Sequence, residues 1–145
     1  MVSATGNDGK LLENLLHQSL KGYCQKHLAV YHRFYDTHSA RNPLPAQPGD
    51  FLFVAQGRAF LLECKSTVVS TQIKTLAKRS PAQIGKHKLW IRAGGFSRYV
   101  YLDIIKNRLV LLDGQDLVDN AGIISPLFSG GKEDMDELVS SISGK

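Results

Sequence analysis

Asp50, Glu63 and Lys65 lie on two consecutive apolar runs, Phe51 to Ala55 and Ala59 to Leu62, joined by the polar link Gln56-Gly57-Arg58. That is the pattern of a strand hairpin. With the turn centred between Gln56 and Gly57, Asp50 faces Glu63 with Cβ atoms roughly 5 Å apart. Two acids that close repel unless a cation sits between them. The period-2 alternation of a strand puts Lys65 on the same face as Glu63. The chemistry this predicts is a divalent-metal site acting on phosphate esters. Mg²⁺ takes hard oxygen ligands and keeps several waters, so Asp50, Glu63 and the backbone carbonyl of Cys64 are the candidate ligands. Lys65, an ammonium, cannot ligate a metal; its expected work is to orient the attacking water and screen developing charge.

The elements that must position these residues follow along the chain. Leu11, Leu12, Leu15, Leu16, Leu20 and Tyr23 recur at helical spacing and predict an amphipathic helix from about Lys10 to His27. Ala29 to Tyr35 reads as a first strand, and Asp36 to Gly49 as a proline-bearing loop. The hairpin of 50–65, apolar on both faces, is expected to be central and covered on both sides. A polar, basic stretch comes next. Ser80-Pro81 then reads as a helix start and Ala93-Gly94-Gly95 as its end. Tyr99 to Ile105 and Leu109 to Leu112 are two further strands, and Glu133 to Ile142 is a final acidic helix. The expected fold class is α/β, a mixed central sheet flanked by helices.

At 145 residues the chain is expected to form one domain, 1–145, with 1–8 frayed and 114–145 an acidic C-terminal extension. No apolar stretch approaches the roughly 18 residues that span a bilayer, and Met1 to Lys10 has no apolar signal core. Cys24 and Cys64 are expected to be buried thiols in a reducing cytoplasm. The net charge of +5 is unevenly spread: residues 1–102 hold 14 Lys/Arg and 5 Asp/Glu, whereas 103–145 hold 4 and 8. Ser66 to Leu102 contains no acid, yet carries Lys74, Lys78, Arg79, Lys86, Lys88, Arg92 and Arg98. A one-signed field of this kind attracts a polyanion, and nucleic acid is the commonest. Lys10, Arg41, Thr67, Lys74, Lys78, Arg79, Lys86 and Lys88 are the candidate phosphate contacts.

Other constellations are weaker. His17, His27, His32, His38 and His87 show no zinc-ligand spacing, and Gly9-Lys10 lacks the pattern of a phosphate loop, so no nucleotide cofactor is expected. Tyr31, Tyr35 and Trp90 are read as core packing rather than base-stacking platforms.

Asn42-Pro43-Leu44-Pro45, then Asp50, then Leu61-Leu62-Glu63-Cys64-Lys65-Ser66-Thr67, resembles the active-site region of the PD-(D/E)xK nuclease superfamily, and within it the archaeal Hjc resolvases. Gln56-Gly57-Arg58, Gln83 and Gly94-Gly95 are similar to the bacterial RecU resolvases, and Gly9-Lys10 with Glu13 matches the first-helix glutamate of these enzymes. Ala46-Gln47-Pro48-Gly49 adds length before Asp50, and Ala82 replaces a histidine that often precedes the glutamine. The resemblance covers about residues 9 to 113. It implies a restriction-endonuclease-like core, Glu13 as a further metal ligand and Gln83 near the scissile phosphate. The implied activity is that of a Mg²⁺-dependent endodeoxyribonuclease, with Mn²⁺ able to substitute, resolving four-way (Holliday) junctions by paired nicks. The implied partners are branched double-stranded DNA and a second copy of the chain, because two symmetric nicks need two sites. The expected location is the cytoplasm, on nucleoid or viral DNA. Two rivals remain: a nuclease of the same core acting on other DNA, of restriction or repair type, and a basic DNA-binding module without catalysis.

Overall fold

The computed structural model describes residues 7–34 and 47–144, with side chains from Lys10 onward. Arg41 and the Asn42-Pro43-Leu44-Pro45 segment lie outside the described residues, as do most of 1–8. The elements run α1 (Asn7–Lys26), β1 (Ala29–Arg33), β2 (Phe51–Ala55), β3 (Arg58–Thr67), α2 (Ile73–Lys78), α3 (Pro81–Arg92), β4 (Phe96–Asp103), β5 (Arg108–Asp113), α4 (Gly114–Val118), β6 (Phe128–Gly130) and α5 (Met135–Ile142). No described helix is long and apolar enough to cross a membrane.

The strands form one six-stranded sheet in sequence order, β1 through β6. Every neighbouring pair is antiparallel except β3 with β4, which is parallel and joined by the crossover through α2 and α3. The fold is therefore α/β with a mixed sheet, as the sequence predicts. The β2–β3 hairpin has the expected register: Phe51 pairs with Leu62 and Ala55 with Arg58. Gln56 and Gly57 both take positive φ, 54° and 74°, the mirror-image turn whose twist matches that of the strands it joins.

Alternation along the strands divides the core into two layers. Leu12, Leu16 and Leu20, one helical turn apart on α1, pack with Phe51, Phe53, Phe60, Leu62 and Val100 on one face of the sheet. Tyr99, Tyr101, Val110, Leu112, Leu117 and Ala77 fill the other, where α2, α3 and α4 lie. The hairpin is thus covered on the α1 side, and β3 on both sides.

The acidic C-terminal part is built into this core. Met135, Leu138, Val139 and Ile142 of α5 are buried beside the α1 leucines, and Asp136 accepts a hydrogen bond from Ser19. Arg98, one of the run of basic residues, is buried and donates to the Ile142 carbonyl at 3.3 Å and to Asp113 at 3.4 Å. Four elements escaped the sequence reading: α2, α4, β6 and the 3₁₀ turn Lys132–Asp134. Each is at most six residues long, too short to show a period. β4 starts before Tyr99 and stops at Asp103, whose carboxylate accepts the Lys106 N–H at 3.1 Å and folds the chain into a turn.

Truncating Leu16 to Ala, which empties the contact between α1 and the sheet, is expected to cost about 2–5 kcal/mol of unfolding free energy. Urea denaturation measures it; a loss under about 1 kcal/mol would mean this face is not the packed core described.

Candidate active site

Asp50 is placed by the chain just before β2, where its N–H donates to the Leu62 carbonyl at 2.9 Å and continues the hairpin pairing. Glu63 follows Leu62 on β3 and is 1 % exposed. The two carboxyls meet side by side, close enough for each to shift the titration of the other. Burial pushes both up, Asp50 to about 8 and Glu63 to about 7. The negative charge of Glu63 raises Asp50 further, while the N–H of Cys64, donating to Asp50 Oδ2 at 2.7 Å, holds it down. Lys65 opposes the rise of Glu63. Two acids crowded in a dry wall favour the protonated form.

Lys65 comes to the same face, two residues beyond Glu63. Its Nζ donates to Gln83 Oε1 at 2.6 Å and to Ser80 Oγ at 3.2 Å. Sequence reasoning takes Ser80 as the N-cap of α3; it does sit at that position, but its hydroxyl makes no cap bond and faces the ammonium instead. Gln83, expected near the reacting phosphate, lies beside the lysine.

His87 was not foreseen. It is fully buried on α3, one turn after Gln83, with Nε2 3.3 Å from Glu63 Oε1 and Nδ1 2.6 Å from Ser97 Oγ. Burial lowers its pKa to about 4, so the ring is neutral and its contact with Glu63 is a hydrogen bond rather than an ion pair. Tyr99, paired with Glu63 across the parallel ladder, has a buried hydroxyl with no hydrogen-bond partner. Burial and the charges of Glu63 and Asp50 raise its pKa. The signal for His87 was present as spacing: Gln83 and His87 stand four apart on one helix face.

The other expected site residues are distributed differently. Glu13 stands on α1 with Oε1 3.7 Å from Arg33 Nη2, near enough for its charge to raise Glu63. Among the described residues no three His, Cys, Asp or Glu side chains form a group that could hold a metal ion. The Cys64 thiol turns to the α1 side, and both cysteines are free. Lys10, Lys78, Arg79 and Lys88 are exposed and Lys86 is half-buried. Two of the candidate phosphate contacts have partners within the chain. Thr67 is buried, and its Oγ1 accepts the Val69 N–H at 3.2 Å; Lys74 is tied to the Ala121 carbonyl at 2.7 Å. Tyr31 packs against the core and bonds to His17 at 2.9 Å, and Trp90 is half-buried. A cavity of about 420 Å³ lies between Tyr101, Val110, Ile124 and Pro126, and none of the site acids lines it.

No family model matches the chain, and no curated protein matches it. Among solved structures it is similar to Hjc of Archaeoglobus fulgidus, a Holliday junction resolvase from an archaeal hyperthermophile. The match has 11% sequence identity, covers 85% of this chain and 90% of that one, and has a TM-score of 0.44. A likeness that distant assigns no activity.

The acid pair sets a pH dependence. Unfolded, Asp50 and Glu63 titrate near 3.8 and 4.5; folded and free of divalent cations, they hold protons to about 8 and 7. The folded state binds more protons in that interval, so the pair's contribution is full below about pH 4 and is lost as pH rises through about 7 to 8. In EDTA, wild-type stability is therefore expected to fall between about pH 5 and pH 9 relative to Asp50→Asn, whose amide needs no proton. Melting curves of the two proteins across that range test this; parallel profiles would refute the shifted pair.

Proposed function

We propose that the chain is a metal-dependent DNA endonuclease that cuts four-way junctions by paired nicks, working as a homodimer. The observation that carries this reading is the meeting of Asp50 and Glu63 as a buried pair across the hairpin, with Lys65 held by Gln83 and Ser80 on the same face.

The donor set fits a hard divalent cation. Two carboxylates that cannot both ionise in a dry wall lack one positive charge, and the Tyr99 hydroxyl beside them lacks a hydrogen-bond partner. Asp50 and Glu63 would hold Mg²⁺, with the Cys64 carbonyl as a neutral ligand, because a strand directs the N–H and C=O of one residue to the same side and the Cys64 N–H already meets Asp50. Mn²⁺ would substitute. A cation of this kind supplies polarisation of the phosphate and charge relief in the transition state.

The remaining work belongs to the chain. The pair would bind a cation in its deprotonated form, releasing to solvent any proton that burial retains. Lys65 presents an ammonium whose direction is fixed by the Gln83 and Ser80 oxygens, so that a third N–H is free to orient the attacking water and to stabilise charge gathering on the phosphate. Gln83 serves by aiming Lys65. Exposed Lys78, Arg79 and Lys88 on and between α2 and α3 offer phosphate contacts around the site, with Lys10 on α1 a further candidate. Preference for four-way junctions and for a dimer follows from the sequence resemblance to the resolvases.

The test is a panel of labelled four-way, flap and linear duplex DNA incubated with Mg²⁺. The expected outcome is symmetric nicking of the four-way junction by the wild type. Asp50→Asn, Glu63→Gln and Lys65→Ala should each reduce cleavage by at least about 10²-fold while junction binding is retained. Equal or faster cutting of flaps or linear duplex would redirect the reading to a nuclease of other specificity. Binding without cleavage under Mg²⁺ or Mn²⁺ would leave a DNA-binding module.

A further inference from the structure

We propose that His87, held by Ser97, is a positioning residue that fixes the Glu63 carboxylate for cation binding. This rests on the reading of Asp50 and Glu63 as the cation's ligands.

The geometry is a two-step relay. Ser97 Oγ is 2.6 Å from His87 Nδ1, and His87 Nε2 is 3.3 Å from Glu63 Oε1. An ionised carboxylate only accepts hydrogen bonds, so Nε2 must carry the proton, Nδ1 is then a bare lone pair, and the Ser97 hydroxyl donates to it. Ser97 thereby selects the tautomer that His87 needs. His87 and Ser97 are 0 % and 1 % exposed, and the His87 ring lies 5.0 Å from that of Tyr99 at an angle of 46°. Packing thus restrains the imidazole from the side while Ser97 restrains it from behind. Gly114 belongs to the same arrangement: a Cβ there would fall 1.7 Å from Ser97 Oγ, so the hydroxyl occupies space that only glycine leaves open.

The competing account is that His87 merely fills the core. A buried imidazole is a costly filler where Phe or Leu would serve, and both of its nitrogens have polar partners, one of them a site acid. The two accounts differ in what they require of the cation. A filler's replacement changes stability alone; loss of a positioning group leaves Glu63 free to rotate and weakens the site. Outer partners of ligand groups typically contribute 10- to 100-fold to metal affinity.

The decisive measurement is Mn²⁺ binding to the full chain, read from the loss of the free-ion electron paramagnetic resonance signal. Wild type should bind and Asp50→Asn should not. His87→Phe, checked for folding by circular dichroism, should bind about tenfold or more weakly, and His87→Gln, which returns an N–H near Nε2, should regain most of the affinity. DNA affinity in EDTA should be the same in wild type, His87→Phe and His87→Gln. Wild-type Mn²⁺ affinity in folded His87→Phe overturns the proposal while leaving the site reading intact. Should His87→Phe fail to fold, Ser97→Ala takes its place, since it keeps the ring and removes its restraint; unchanged Mn²⁺ affinity there is equally fatal. Absence of Asp50-dependent binding in the wild type removes the cation site and this proposal with it.

Discussion

Two carboxyl groups side by side inside an apolar wall are the constraint around which the rest of the site is organised. Water would solvate each of them freely; the sheet face does not. The pair persists by retaining a proton between Asp50 and Glu63 and by collecting neighbours: the Cys64 N–H on one acid, the His87 imidazole on the other, and the Lys65 ammonium nearby. Each neighbour is held from behind in turn, Lys65 by Gln83 and Ser80 and His87 by Ser97.

Local structure gives something up for this. Ser80 stands where a helix start normally receives a side-chain hydrogen bond, a contact generally worth about 1 kcal/mol, yet its hydroxyl turns to Lys65. Gln56 accepts a left-handed backbone so that the hairpin closes in two residues, and that closure sets the register which brings Asp50 opposite Glu63. A slip of one residue would move one acid to the α1 face. Rules of local preference yield here to the geometry of the acid pair, a pattern expected where structure serves chemistry.

How much could be read from the residues alone depended on period and length. The hairpin was legible because alternation, a two-residue turn and the Glu63–Lys65 spacing all point to one face, α1 because its leucines recur at helical spacing, and α3 because Ser80-Pro81 and Gly94-Gly95 bound it. His87 was passed over because histidines were compared only with one another, for metal-ligand spacing, and the partner that explains it is a serine on a different strand. The basic stretch misled in part. Composition cannot show that Arg98 is drawn inward to the Ile142 carbonyl, that Lys74 is secured to Ala121, or that Thr67 is turned away from solvent. The final helix was legible at the acidic end of the chain, but its place in the core was not, because the acids between its buried positions Met135, Leu138, Val139 and Ile142 dominate the composition.

The single parallel pairing in an otherwise sequential sheet has its own implication. The acids and the lysine come with the β2–β3 hairpin, whereas Ser80, Gln83, His87 and the exposed cations of α2 and α3 come from the one connection that leads to β4. The acids and the groups that orient them are therefore inherited on separate stretches of chain, so a change confined to the crossover alters the surroundings of Asp50, Glu63 and Lys65 without rebuilding the hairpin that carries them.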